Sequence, residues 1–386
     1  MSVAELRELE RAYAIPTYMR NPVQFVRGEG ATLWDEEGNE YLDFLAGISV
    51  LNVGHCHPRV VAAIQEQATR LMHVSNLYYT EPVMLLSKAL SESSLRGKVF
   101  FANSGAEANE AAIKLARRAK PGGEIVVLRD AFHGRTFGAL SATPQEAKQA
   151  PFAPLVPGFV PVAKEPDALA AAVGPQTAAI LLEPIQGEGG VLPLSDELLI
   201  TARELCDQFG AALIFDEVQT GMGRTGTLWA YEQTPVVPDA LTTAKALGGG
   251  LPIGALITGP RLADVFEPGD HASTFAGGPV ICAAALVALE ICSDPALLES
   301  VVALGERFAA ALEELPFVTS VRGRGLLVGA ELVPEVSAVE LARRALSEER
   351  LVINATGPSS LRMEPPLIVT EAEIDDAVAR IGRLVS

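Results

Sequence analysis

Between about residues 100 and 260, short apolar runs of strand length alternate with amphipathic stretches of helix length. This alternation limits the fold more than any other feature of the chain. The runs 99–102, 125–128, 178–182 and 211–215 are each closed by turn or polar residues, and 196–209 reads as a helix. A strand buried on both faces shows as a short, continuous apolar run bounded by turn signals. Strands separated by helices pair in parallel, because a helical crossover returns the chain to the same end of the sheet. The expected class is α/β, with a mostly parallel, doubly wound sheet. In such sheets ligands lie beyond the carboxyl ends of the strands, so the residues that follow these runs are the first place to look for chemistry.

The run 211–215 ends in two carboxylates, Asp216 and Glu217, and a later run rich in Thr and Ala ends at Lys245 before Gly248, Gly249 and Gly250. An acid and an amine are thus expected to face one pocket from two strand ends. Lysine is used sparingly: Lys88, Lys98, Lys114, Lys120, Lys148 and Lys164 precede Lys245, and none follows it. Where arginine carries most of the positive charge, a lone lysine beside glycines suits a task arginine cannot do, such as nucleophilic attack by an amine to form a Schiff base. A surface lysine in a loop is the competing reading.

Other strand ends carry weaker signals. After 99–102 a Ser104–Gly105 turn opens an Ala- and Glu-rich helix, whose first backbone amides form a candidate anion cradle; a plain helix cap is the alternative. After 125–128 the loop AFHGRT groups an aromatic, a histidine and an arginine. Glu183 and Glu188 follow 178–182 within EPIQGEGG. His55, Cys56 and His57 look like metal ligands, but a zinc site wants four ligands with chelating spacing and no second cluster lies nearby. A turn-and-cap role is favoured there.

Composition narrows the function classes. The chain has 386 residues, 49% hydrophobic and 20% charged, which is ordinary for a globular protein. A net charge of −18 speaks against nucleic acid or an anionic membrane surface as partner. Cys56, Cys206, Cys282 and Cys292 form no CxxC pair, which fits a reducing, cytoplasmic setting. The N-terminus lacks an apolar signal core, and Glu5, Glu8 and Glu10 oppose a transit peptide. The most apolar stretch, 280–289, is too short to cross a bilayer and reads as a core helix. Residues 23–44 alternate as a hairpin or meander. Beyond Pro260, helices near 295–314, 337–349 and 371–385 interleave with strands at 318–322, 326–332 and 361–364. The domain expectation is an N-terminal segment (1–55) packing with a C-terminal small α+β domain (281–386), around a large domain (56–280).

Taken together, FFANSGAEANEAAIKLAR, AFHGRT, EPIQGEGGV, LIFDEVQTGMGRTG, LTTAKALGGGLPIGA and STFAGGP stand in the order found in class III (ω-amino) aminotransferases. The chain resembles that family from about Tyr18 to its last helix, and within it is most similar to the acetylornithine branch. The resemblance implies a fold-type-I, pyridoxal-phosphate-dependent transferase with a seven-stranded sheet. It further implies a homodimer with shared active sites, moving the δ-amino group of N-acetylornithine to 2-oxoglutarate.

By the same resemblance Lys245 holds the cofactor and shuttles the proton, and Asp216 pairs with the pyridinium nitrogen. Gln219 bonds the ring phenolate, Phe132 stacks on the ring, and Ser104, Gly105 and Ala106 cradle the phosphate. Thr274 reaches the phosphate from a second subunit. Arg135 and Arg362 match the arginines that bind substrate carboxylates, Glu188 the glutamate that masks the second of them, and Tyr18 a tyrosine on the donor's α-carboxylate. Ile48 stands where ornithine-specific relatives carry a tyrosine, which favours an acylated donor.

Two positions depart from the pattern. Gly278 replaces the usual Asn, and Met363 and Glu364 follow Arg362 where an aromatic and a small or apolar residue are usual. On a strand, Arg362 and Glu364 share a face, so Glu364 competes for the arginine as a second mask. Carrier-bound aminoadipate semialdehyde, ornithine, succinylornithine and 4-aminobutyrate remain alternative substrates, and a catalytically silent binding protein the alternative class. An oxidoreductase reading is poorer, since no G-x-G-x-x-G joins a strand to a helix.

Overall fold

The computed structural model describes residues 1–385. Its centre is a seven-stranded sheet in the order Val99–Ala102, Gly254–Thr258, Ala240–Thr243, Ala212–Asp216, Thr177–Leu182, Glu124–Leu128, Phe159–Val162. Gly254–Thr258 runs antiparallel to both neighbours; the other pairings are parallel. Four of the central strands are buried at every position, which is why they read as unbroken apolar runs instead of alternating ones. With one antiparallel strand between them, Val99–Ala102 still points the same way as the rest. Six carboxyl ends therefore open on one side.

The helix Gly105–Ala119 lies across the sheet on a face of Ala108, Ala111, Ala112, Ile113, Leu115 and Ala116. Small side chains let it approach closely. The apolar helix Pro279–Cys292 packs against Pro58–Arg70 and Glu81–Glu92, so the stretch read as a core helix is one. Gly278 is its N-cap residue and supplies no side-chain cap. Among the described residues no single helix is long and apolar enough to cross a membrane; Pro279–Cys292 and Pro295–Glu313 reach that only together, across a 64° bend.

Residues 25–43 form the expected meander, with strands Phe25–Glu29, Thr32–Asp35 and Glu40–Asp43. Its last strand pairs in parallel with Leu351–Val352 from the far end of the chain, with Leu42 opposite Leu351. A separate antiparallel sheet orders Val318–Arg324, Leu327–Leu332, Ser360–Met363 and Asn354–Ala355. The strand expected to run through Glu364 ends one residue earlier. There the Glu364 amide leaves the ladder and donates to the Phe44 carbonyl at 2.7 Å, joining this sheet to the meander.

The His55–Cys56–His57 cluster is a turn and a cap. His55 Nε2 lies 2.7 Å from Asp43 Oδ2, and His57 Nδ1 accepts from the Arg59 amide at the start of Pro58–Arg70.

Candidate active site

A cavity of about 740 Å3 lies beyond the carboxyl ends of the parallel strands. Asp216 and Gln219 enter it after Ala212–Asp216, and Lys245 after Ala240–Thr243. Ser104, Gly105 and Ala106 follow Val99–Ala102, Phe132 and Arg135 follow Glu124–Leu128, and Glu188 follows Thr177–Leu182. Tyr18 and Ile48 line the opposite wall. The acid and the amine expected at two strand ends do share one pocket. Arg362 stands behind Glu188, and Thr274 lies outside, in a second pocket with His73 and Tyr79.

Asp216 is buried and held from three sides. Oδ2 accepts from Asn109 Nδ2 at 2.7 Å and lies 2.8 Å from His133 Nδ1; Oδ1 accepts from the Val218 amide at 3.0 Å. Asn109 is fixed in turn by Thr242, whose hydroxyl donates to Asn109 Oδ1 at 2.7 Å, and by the His133 carbonyl. A carboxylate so braced keeps its orientation, with Oδ1 able to accept one more donor. Glu183 receives the amides of Phe132 and Gly187 and fixes the loop that presents Phe132; burial, seconded by the Asp216 charge and opposed by His133, leaves its carboxyl pushed up to about 7.

These supports were missed in the sequence, where only Asp216 carried weight. Asn109 left a usable signal: it is a polar residue on the otherwise apolar face of its helix. His133 and Glu183 were visible as residues, but only the packing shows that one braces Asp216 and the other the Phe132 loop.

Lys245 has φ +45°, a left-handed backbone that a non-glycine residue adopts at a cost. Gly249 and Gly250, at φ +57° and +110°, complete the turn that presents it. Burial pulls its amine below the usual lysine range, and the carboxylates of Glu364, Glu188 and Asp216 counter this. The neutral, proton-accepting form is thereby within reach.

At the start of Gly105–Ala119 the Ser104 hydroxyl accepts from the Glu107 amide at 3.2 Å. The Gly105 and Ala106 amides have no partner inside the helix, so they suit an anion. Gln219 Nε2 is buried without a partner, and Gly187 makes room for that side chain, since a Cβ there would run into its Oε1. An orphaned donor, a bare helix start and a braced carboxylate fit a planar heterocycle carrying a phosphate, a phenolate oxygen and a protonated ring nitrogen.

On the far side Arg362 is buried. Its Nη1 donates to Glu188 Oε1 at 2.8 Å and its Nε to Asn354 Oδ1 at 3.3 Å. Burial raises the Glu188 carboxyl, but the Arg362 guanidinium, helped by Lys245 and Lys148, more than offsets this and holds it below the usual range. The Glu188 side chain is one-third exposed, so it can turn away. Arg135 is exposed, 5.6 Å from the Phe132 ring centroid. Ile48 sits in a run of left-handed backbone, Ala46, Gly47, Ile48 and Ser49, all with φ between +50° and +66°. Nothing in the sequence of this run announced that conformation.

Residues 14–385 match the family model for aminotransferase class-III. The acetylornithine aminotransferase of Caldanaerobacter subterraneus is 49% identical over 98% of this chain and 98% of its own. Among solved structures, the N-acetylornithine aminotransferase of Stenotrophomonas maltophilia is 37% identical with a TM-score of 0.83, covering 98% of both chains. The ornithine aminotransferase of Toxoplasma gondii, described with partial occupancy of PLP at its active site, is 35% identical with a TM-score of 0.94, over 99% of this chain and 94% of its own. A braced acid and a buried amine at the ends of a parallel sheet, in a chain alike from end to end, lead to one conclusion: this protein belongs to the class III aminotransferases, whose cofactor is pyridoxal phosphate.

Proposed function

We propose that this enzyme moves the δ-amino group of N-acetylornithine to 2-oxoglutarate, giving N-acetylglutamate 5-semialdehyde and glutamate. The observation that carries the reading is the Arg362–Glu188 pair beside Lys245. One cavity must accept an ω-amino donor in one half-reaction and a dicarboxylate in the other. An arginine neutralised by a carboxylate that can turn away serves both, because it offers a positive fork only when the second carboxylate arrives. Apolar Ile48 on the opposite wall, and full-length relatives bearing the acetylornithine name, favour an acylated donor over free ornithine.

Bound pyridoxal phosphate supplies the electron sink and carries the amino group between the two substrates. The residues of this chain do the rest. Asp216 would pair with the ring nitrogen and favour its protonated form, while Asn109 and His133 stop the carboxylate from rotating. The Gly105 and Ala106 amides and the Ser104 turn would hold the phosphate, and Gln219 Nε2, buried without a partner, would serve the phenolate oxygen. Nζ of Lys245, lowered by burial, would move a proton between the reacting carbon of the substrate and the cofactor carbon, in one direction with the donor and in the reverse direction with the acceptor. Arg135 and Tyr18 hold the donor's α-carboxylate, and Arg362 takes a carboxylate of 2-oxoglutarate.

A second copy of the chain completes the unit, with Thr274 serving the partner's phosphate. Supporting this, Thr274 lies outside the cavity amid the exposed apolar side chains of Leu77, Tyr78, Tyr79 and Phe275. A cytoplasmic setting is consistent with four free cysteines, three of them buried. The test is single-turnover loss of the cofactor's visible absorbance with N-acetylornithine, succinylornithine, ornithine and 4-aminobutyrate. Fastest loss with N-acetylornithine is expected; faster loss with ornithine or 4-aminobutyrate overturns the donor assignment.

A further inference from the structure

The residue after Met363 sets this arginine apart. Glu364 is fully buried, and its Oε2 stands 3.3 Å from Arg362 Nε without the geometry of a hydrogen bond. Its Oε1 accepts from the Ser49 hydroxyl at 2.8 Å, and its amide is tied to the Phe44 carbonyl at 2.7 Å. Both anchors lie in the segment that delivers Ile48 to the cavity wall. The sequence suggested a second mask that an incoming substrate would displace. The packing corrects this: a carboxylate enclosed on every side and bonded to Ser49 has nowhere to turn.

Arg362 thus carries two negative partners of different kinds. Glu188 is one-third exposed and releasable, while Glu364 is enclosed and stays. Two further basic groups, Arg224 and Lys245, face Glu364. Burial drives the Arg224 guanidinium down to about 10 and Glu364 is the strongest charge opposing that shift; it is likewise the strongest opposing the shift of Lys245. Arg224 is itself committed, donating to Asn52 Oδ1 and to the Leu326 and Pro365 carbonyls. Among the described residues Glu364 is therefore the one enclosed acid against Arg362, and it stays in place when a substrate carboxylate binds.

We propose that Glu364 is a fixed specificity-determining counter-charge that permanently lowers the pull of Arg362 on a second substrate carboxylate. It rests on the reading that Arg362 receives a carboxylate of the acceptor. Its consequence is a weaker hold on five-carbon dicarboxylates, which eases release of the dicarboxylic product, while a donor whose single carboxylate is held by Arg135 and Tyr18 is untouched.

The test uses the enzyme loaded with pyridoxal phosphate and glutarate, a dicarboxylate with no keto group, titrated by calorimetry. Glu364→Gln removes the charge and leaves an oxygen for the Ser49 hydroxyl. It should tighten glutarate binding about tenfold, the order expected for losing one like charge next to a bound carboxylate in a partly buried site. Glu188→Gln should also tighten it, and adding Glu364→Gln to that variant should tighten it again. If Glu364→Gln does not fold, Glu364→Leu takes its place and is judged by the same affinity. Unchanged or weaker glutarate binding, where the wild type binds glutarate, overturns the inference and leaves the proposed reaction standing. Failure of glutarate to bind any variant removes both the carboxylate role of Arg362 and this inference.

Discussion

The two walls of the cavity are built from different material. On the proposed cofactor wall, each polar residue follows a strand of the central sheet or opens the helix laid on it, as with Asp216, Lys245 and Ser104. On the proposed substrate wall, the parts come from the 46–49 turn, the loop bearing Glu188, and the strand Ser360–Met363 of another sheet. The first wall is braced by short, buried hydrogen bonds among neutral and singly charged groups. The second is a chain of opposed charges, Glu188, Arg362 and Glu364, in which one partner is free to move. Rigidity serves a chemical step common to every substrate, and a releasable charge serves the choice between them.

Breaking the first wall should cost the most. Lys245→Ala should abolish turnover, and borohydride should no longer fix the cofactor to the protein, although some still binds through the 104–106 cradle. Mass spectrometry decides it: a phosphopyridoxyl adduct on another lysine of the wild type sinks the assignment. Asp216→Asn should keep the fold and lower kcat by about 3–4 kcal/mol of transition-state stabilisation, since an amide does not hold the ring-nitrogen proton. Near-normal turnover would reduce Asp216 to a strand-terminating carboxylate.

Breaking the second wall should split the half-reactions. Arg362→Ala should weaken 2-oxoglutarate recognition by about 3 kcal/mol, read as KM in the second half-reaction, with donor deamination largely kept. Equal loss in both half-reactions would contradict a wall devoted to selectivity.

A pH experiment sharpens the contrast, because the sheet side buries an acid, Glu217, that among the described residues has no salt-bridge partner. Burial pushes the Glu217 carboxyl up to about 8 despite its bonds from the Ala230 and Tyr231 amides. A raised folded value binds a proton that the unfolded chain releases near 4.5. The resulting stabilisation is complete below that pH, declines across the interval, and is gone above about 8. Replacing the group by Met should flatten the fall of stability with pH between these limits by up to about 1.4 kcal/mol per pH unit. Parallel denaturation curves for the two proteins across that interval would refute it.

The smallest effect is expected at Ile48, a β-branched residue at φ +66°. Ile48→Tyr relieves part of a strain of about 1 kcal/mol and adds a hydroxyl at the wall. It should raise the melting temperature slightly and move the preference from N-acetylornithine toward ornithine. A lower melting temperature would show that the turn is shaped around Ile.

How much was legible follows the same division. The runs at 99–102, 125–128, 178–182 and 211–215 were plain because strands buried on both faces must be apolar throughout, and the residues after them were candidates because parallel strands deliver their ends to one side. Sequence alone therefore determined the class of fold, the Asp216–Lys245 pair and, through ordered motifs, the family. The bracing of Asp216 by Asn109 and His133 was not legible, since a side chain's partner across 107 or 83 residues leaves no local mark. Nor was the left-handed turn at 46–49, because Ala, Ile and Ser ordinarily avoid that conformation and only surrounding contacts impose it. The sequence placed Glu364 on the same side as Arg362 from the period of a strand. Only the tertiary structure decided that Glu364 is locked and Glu188 releasable, because the mobility of a charge depends on what encloses it, and enclosure comes from segments far apart in the chain.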